Sequence, residues 1–213
     1  MKILIIGGGG REHALSWRLS NEGHEIYAAP GNPGIAQIAR IVPTSEYIDA
    51  AESIHPDLTV VGPEAPLVAG VVDRFRARGL RIVGPTQEMA QLESSKIHSK
   101  EFMQRLGIPT ARFVRTESAQ AGIEALARFE YPIVIKADGL AAGKGVIIAC
   151  DRSEAESAVH AVGPRLVIEE FLQGEEVSFI VLSDGRNVVA FDATQDHKTV
   201  GDDDTGPNTG GMG

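Results

Sequence analysis

Lys136 closes the apolar run Ile133–Lys136, and Lys144 follows it inside a loop carrying Gly139, Gly143 and Gly145 before the chain turns apolar again at Val146. An ammonium group at the end of a buried strand must reach water, a carboxylate or an anionic ligand, because burying it unpaired costs several kcal/mol. Glycines let the backbone come close to an anion with no Cβ in the way. Ammonium groups beside bare amides suit a phosphate. The loop is not a P-loop, since Lys144 is followed by Gly145 and Val146 where that motif needs Ser or Thr. A plain hairpin with solvated lysines satisfies the same spacing, although the loop holds more glycine than a hairpin needs.

Two further stretches carry chemistry-bearing types. Gly7 to Gly10 follow the apolar run "KILII" and open a helical pattern, so free N–H groups at a helix start are available to a phosphate. A dinucleotide fingerprint fails: Gly8-x-Gly10 is followed by His13 where a third glycine belongs, and "AAPG" after the second strand offers no carboxylate to a ribose. A tight strand-to-helix turn built from small residues is the plainer alternative. In "VIEEFLQGEEVSF" (167–179), apolar residues lead into Glu169 and Glu170, then Phe171 and Leu172, then Glu175 and Glu176. An apolar slot, backbone groups and a carboxylate are what a base and a ribose require. An edge strand with solvated glutamates reads equally well from this stretch alone.

The elements that must position these groups follow from periodicity. Apolar runs at 2–7, 25–31, 58–64 and 81–86 alternate with helical patterns, one starting near Arg11 and one over 68–79. Strands alternating with helices predict a parallel, doubly wound sheet with ligands at its strand C-termini. The spacing places Ala14, Leu15, Arg18 and Leu19 on one helix face, with Gly23 past its end. Ser94 or Ser95 caps a helix that Gly107 and Pro109 stop. A smaller unit follows: a strand at 113–115, helices at 119–129 and 152–162, strands flanking the glycine loop, and a strand at 165–172. A hairpin over 176–194 turns at Ser183-Asp184-Gly185. Residues 195–213 read as an irregular Gly/Asp/Thr loop, which marks the chain as a piece of a longer protein.

Net charge is −9 in 213 residues, which disfavours a general nucleic-acid or anionic-membrane surface. Cys150 is the single cysteine. It excludes an internal disulfide, fits a reducing cytoplasm, and reads as a small core filler. No apolar run reaches membrane-spanning length.

Together the stretches "IIGGGGREHAL", "APGNPG", "VGPEAPLVAGVVD", "GPTQEMAQLESSK", "IVIKADGLAAGKGV", "VIEEFLQGEEVSF" and "QDHKTVGDDDTGPNTGGMG" resemble, in order and over the whole chain, the phosphoribosylamine–glycine ligase (glycinamide ribonucleotide synthetase) family of the ATP-grasp superfamily. The resemblance implies an α/β fold in which residues 1–94 form a doubly wound pre-ATP-grasp domain. Residues 95–112 are then a linker helix, 113–172 a small α+β lid, and 173–213 the start of an incomplete ATP-grasp core. It implies a cytoplasmic ligase of purine biosynthesis that joins glycine to phosphoribosylamine through glycyl phosphate, using ATP and Mg²⁺. Lys96 and Lys136 match lysines that touch the α- and β-phosphates, and Asp138 to Gly145, with Gly139, Gly143 and Lys144, matches a mobile flap. Glu169, Glu170, Phe171 and Leu172 match the adenine hinge, and Glu176 the ribose carboxylate. Gly8, Gly9, Gly10, Glu12, Glu64, Asp204, Asn208 and Thr209 match stretches facing phosphoribosylamine. Arg11, His13 and His197 lie in matching stretches without an assigned role.

The metal ligands of the family lie beyond residue 213, and the run Asp202-Asp203-Asp204 does not replace them, because adjacent loop carboxylates rarely form a magnesium site. The link between Val162 and Arg165 is also shorter than is common in the family. Alone, the chain is therefore expected to bind ATP weakly and to turn over poorly or not at all. A missing C-terminal half is an expected partner. A non-catalytic nucleotide-binding half-module, or an ATP-grasp ligase acting on another carboxylate, stand as alternatives.

Overall fold

The computed structural model describes residues 1–139, 145–195, 197–202 and 205–212, with only the backbone of 198 and 207–212. The chain divides into two compact units, Met1–Ser94 and Ser95–Gly213.

In the first unit, strand β1 (Lys2–Gly7) leads through glycines into helix α1 (Gly10–Asn21), and Gly23 at φ +82° ends that turn. Strands β2 (Glu25–Pro30) and β3 (Arg40–Ile41), helix α2 (Tyr47–Ile54) and strand β4 (Leu58–Val61) follow. Helices α3 (Glu64–Val68) and α4 (Val71–Arg76), strand β5 (Ile82–Val83) and helix α5 (Gln87–Ser94) complete the unit. The sheet order is β3-β2-β1-β4-β5 with every pairing parallel, the doubly wound arrangement expected.

Strand β1 is a continuous apolar run because both its faces are covered. Leu4 and Ile6 join Ala29, Ile48, Val72 and Phe75, while Ile3 and Ile5 meet Ile26, Leu19 and Val60. Each large side chain so buried contributes about 1.5–3 kcal/mol. The pattern over 68–79 is not one helix. Gly70 at φ +77° separates α3 from α4 and leaves Val68 on the shorter piece. Helix α1 also buries a different face from the one its apolar spacing indicates. Glu12 and Ser16 are inside while Ala14, Leu15 and Arg18 are exposed. The physical reason is local satisfaction, with Ser16 Oγ donating to the Glu12 carbonyl at 2.7 Å.

In the second unit, Ser95 caps helix α6 (Lys96–Leu106) by accepting from the His98 N–H, and Gly107 at φ +67° ends it. Strand β6 (Phe113–Thr116), helix α7 (Ala119–Ala125), strands β7 (Ile133–Ala137) and β8 (Val146–Ala149), helix α8 (Arg152–Val162) and strand β9 (Leu166–Glu170) form an α+β layer. Its antiparallel sheet runs β6-β9-β7-β8, and its core holds Leu126, Ile133, Ile135, Val159, Leu166 and Ile168. Cys150 is exposed at the end of β8 and is not a core filler. The buried inward position of that strand end belongs to Ala149, and alternation turns the next residue outward.

A hairpin of β10 (Val181–Ser183) and β11 (Val188–Ala190) follows. The Asp184 carboxylate closes its turn by accepting from the backbone N–H groups of Arg186 and Asn187. The final segment is not irregular. Strands β12 (His197–Gly201) and β13 (Thr205–Met212) pair antiparallel with two register shifts. The ladder is made by the main chain, so glycine-rich composition hides it from pattern reading. Among the described residues no helix is long and apolar enough to cross a membrane.

Candidate functional site

In the first unit, three loops at the C-terminal ends of β1, β2 and β4 interlock. Gly31 N–H donates to the Gly7 carbonyl at 3.1 Å, and Asn32 Nδ2 donates to the Gly8 carbonyl at 2.8 Å. Asn32 Oδ1 accepts from the Ile35 N–H at 2.8 Å, so one side chain staples two loops. Gly7 has φ +127°, a conformation only glycine adopts readily. Glu12 is 3% exposed, and its carboxylate accepts from the Gly9 N–H while lying against Gly7 and Gly62. It braces the loop from beneath. Gly8, Gly9 and Gly10 stand above it at the start of α1, partly buried or exposed.

Glu64 begins α3 and pairs with Arg11 at 3.1 Å, both well exposed. Its own backbone N–H, then the Arg11 guanidinium, hold its carboxyl below the ordinary carboxylate range. A cleft of roughly 340 Å³ opens beside that pair, walled by Leu67, Pro85 and Met89. The His13 ring lies against Gly34, where a Cβ would come within 2.7 Å of it, so packing accounts for this histidine.

In the second unit, the glycine loop leaves β7 and returns into β8. Its base is closed by the Ala137 N–H donating to the Gly145 carbonyl at 2.8 Å. Lys96 Nζ donates to the Gly139 carbonyl at 2.8 Å. Lys136 Nζ meets Glu169 Oε2 at 3.1 Å, a partner on the adjacent strand β9. The two sequence-predicted lysines are therefore brought to the mouth and the floor of one loop. Gly143, Lys144, Asp203 and Asp204 lie outside the described residues, as do the side chains of Asn208 and Thr209.

At the end of β9, the Glu170 carboxylate accepts from the Arg112 N–H at 2.7 Å and holds strand β6's entry in register. Phe171 and Leu172, 38% and 64% exposed, follow as an open apolar step. Glu176 is exposed nearby in sequence, and His197 is an exposed residue of β12. Glu169 Oε1 is buried without a hydrogen-bond partner among the described residues. Ammonium donors, an orphaned acceptor and an apolar step fit a nucleotide better than they fit a neutral metabolite. Among the described residues no group of three or more His, Cys, Asp or Glu is placed to hold a metal.

Lys100 escapes a reading of motifs, and Asp138, read there only as the start of the flap, anchors the loop. Lys100 is 7% exposed, meeting Glu169 Oε2 at 3.2 Å and Thr110 Oγ1 at 2.7 Å. Asp138 accepts from Ser95 Oγ at 3.0 Å, the Ile97 N–H at 3.2 Å and Arg165 at 3.1 Å. The one signal for Lys100 is its position four residues after Lys96, one helical turn along the same face.

Comparison with known proteins matches both parts of the chain to one family. The N domain of phosphoribosylglycinamide synthetase matches residues 1–93, and its ATP-grasp (A) domain matches residues 94–213. Phosphoribosylamine–glycine ligase of Yersinia pestis is 52% identical over 235 aligned positions, covering 100% of this chain and 54% of that protein. The enzyme of the same name from Escherichia coli K12 is 52% identical over 231 positions, again covering 100% of the chain and 54% of the relative. The crystal structure of phosphoribosylamine–glycine ligase from Thermotoga maritima superposes with a TM-score of 0.84 at 36% identity, over 100% of this chain and 54% of that one. An ADP complex of N5-carboxyaminoimidazole ribonucleotide synthetase shares the fold, with a TM-score of 0.74 at 20% identity, over 96% of this chain and 55% of that one. The chain thus spans about half the length of the curated relatives it matches. With both domain types matched end to end and in order, the chain belongs to the phosphoribosylglycinamide synthetase family.

Proposed function

We propose that this chain is the nucleotide-lysine and loop-bearing part of an ATP-dependent ligase that joins glycine to phosphoribosylamine, giving glycinamide ribonucleotide, ADP and phosphate. The observation that carries the reading is the pair Lys96 and Lys136 at one glycine loop, beside the orphaned Glu169 Oε1. ATP supplies the phosphoryl group that makes glycine's carboxylate an acyl phosphate, which the amine of phosphoribosylamine then attacks. Phosphoryl transfer of this kind depends mostly on positioning and charge neutralisation. Lys96 and Lys136 neutralise the phosphate chain. The loop from Asp138 to Gly145, with Gly139, Gly143 and Lys144, closes over it and excludes water.

Backbone groups of Glu169 to Leu172 receive the base beside Phe171, and Glu176 receives the ribose. The N–H groups of Gly8 to Gly10 at the start of α1 suit the phosphate of phosphoribosylamine. Glu12 holds that loop, and the family resemblance adds Glu64, Asp204, Asn208 and Thr209 as contacts to phosphoribosylamine. The magnesium ligands come from the part of the family this chain does not span, and no step here runs through them.

A thermal-shift titration with ATP and magnesium tests the nucleotide half of the reading. At a hundredfold excess over Kd, binding adds about 2.7 kcal/mol to the wild type. Lys136→Ala loses most of that shift. Equal shifts in both proteins remove Lys136 from the site. A half-module that binds without catalysis is the second reading, supported by the 54% span. Glycine-dependent ADP formation on adding the remaining portion of a relative selects the ligase.

A further inference from the structure

Glu169 carries two cations on one oxygen. Lys136 Nζ lies 3.1 Å from Oε2 and Lys100 Nζ 3.2 Å from the same atom, while Oε1 has no hydrogen-bond partner among the described residues. The two lysines are not equivalent. Lys100 has a side chain only 9% exposed, is fixed by Thr110 Oγ1 at 2.7 Å, and lies 5.5 Å from the centre of the Phe113 ring. Lys136 reaches the carboxylate from a side chain 29% exposed, at the strand end where the glycine loop begins.

We propose that Lys100 is a positioning residue: it is the resident counter-charge of Glu169, which lets Lys136 leave that carboxylate for an anionic ligand without baring it. The inference rests on the reading of Lys136 as a phosphate-facing lysine. A carboxylate 6% exposed and paired with a single lysine resists that lysine's departure, because a buried charge without a partner is strongly unfavourable. With Lys100 in place, Glu169 stays paired whichever way Lys136 turns. Lys100 itself touches no ligand and acts through Glu169.

The test is trace acylation of the full chain, read by mass spectrometry at Lys136, since acylation requires that nitrogen to leave the carboxylate. Lys100→Met leaves Lys136 as the one cation on Glu169 among the described residues and slows its labelling by roughly threefold or more, the size of coupling that contacting charges show. In a Glu169→Gln background the same substitution has no such effect. Lys100→Arg, which keeps the charge, labels close to the wild type. Faster labelling in Lys100→Met, an unchanged rate, or an equal effect in both backgrounds overturns the inference. ATP affinity supplies a second arm: Lys100→Met weakens it, and adding Glu169→Gln restores it. If Lys136→Ala leaves ATP binding intact, the functional reading falls, while the labelling cycle still decides the role of Lys100.

Discussion

Replacing Asp138 by alanine removes a carboxylate that ties the glycine loop to the first turn of α6. Its Oδ1 accepts from Ser95 Oγ and from the Ile97 N–H, and its Oδ2 from Arg165. The Asp138 side chain is 9% exposed, so the first two bonds are poorly replaced by water. The bond to the Ile97 N–H acts as a helix cap and contributes about 1 kcal/mol. The Ser95 hydroxyl bond, made to a carboxylate, contributes about 1.5 kcal/mol more. Arg165 is 60% exposed, which limits that pair to a fraction of about 1 kcal/mol. Ser95 keeps its bond to the His98 N–H, so part of the cap survives and the net loss is about 2 kcal/mol.

Amide hydrogen exchange reads this locally, because opening of one turn is measured against the rest of the chain. Protection of the Ile97 amide falls about thirtyfold in Asp138→Ala, the equivalent of about 2 kcal/mol. Asp138→Asn keeps an acceptor at Oδ1 and loses about 1 kcal/mol. Unchanged protection at Ile97 in the alanine variant, or equal losses in both variants, refutes the role given to Asp138.

Gly62→Ala places a methyl on the buried Glu12 carboxylate and destabilises the first unit by about 1–3 kcal/mol, seen by urea unfolding followed through Trp17 fluorescence. Trp17 is the single tryptophan and sits on α1, so its signal belongs to that unit; an unshifted midpoint would falsify the bracing role of Glu12. Asp184 is held at about 2 by the Asn187 backbone and side chain and the Arg186 N–H. Its carboxyl is depressed, so the turn it closes is fully present above the ordinary carboxylate range and is lost as pH falls through about 2. NMR of the Asn187 amide follows this, and a midpoint at the ordinary carboxylate value contradicts the turn. Phe179→Ser and Phe191→Ser, at positions 69% and 51% exposed, reduce binding of a hydrophobic dye while changing stability by no more than about 0.5 kcal/mol. Unaltered dye binding places the exposed apolar surface elsewhere.

Much of the fold was legible because its strands carry apolar side chains toward a core, on both faces in β1 and on one in β7. Ile3 to Ile6 and Ile133 to Ile135 announce themselves as apolar runs, and both lie in sheet interiors. Strand β3 and helix α2 escaped, the first because two residues carry no periodicity and the second because its apolar side chains are separated by alanines. The inward face of α1 was unreadable for a different reason: Glu12 and Ser16 satisfy their polar atoms within the turn, and spacing arguments assume that buried means apolar. In the site, Lys136, which ends a strand next to a glycine loop, was visible, while Lys96 came only from the family resemblance. Lys100 was not, since a lysine on a helix reads as solvated until its distant carboxylate is placed beside it.

The hairpin after the lid bears on the same question of what a sequence specifies. Val177, Phe179, Leu182, Val188, Val189 and Phe191 are all 51–69% exposed, although their types belong to a sheet interior. A two-stranded hairpin is marginal in water by itself, and an apolar surface on this scale marks an interface. The α+β layer of β6 to β9 buries Ile133, Ile135, Leu166 and Ile168 fully, and its exposed large apolar side chains are Val146 and Ile148, with Phe171 and Leu172 following β9. The contrast separates a layer with a buried core from a hairpin whose apolar side chains face outward. Lys136 sits on the layer with its own core and Lys96 reaches that layer's glycine loop from α6 through the Gly139 carbonyl, so nucleotide binding is testable on this chain.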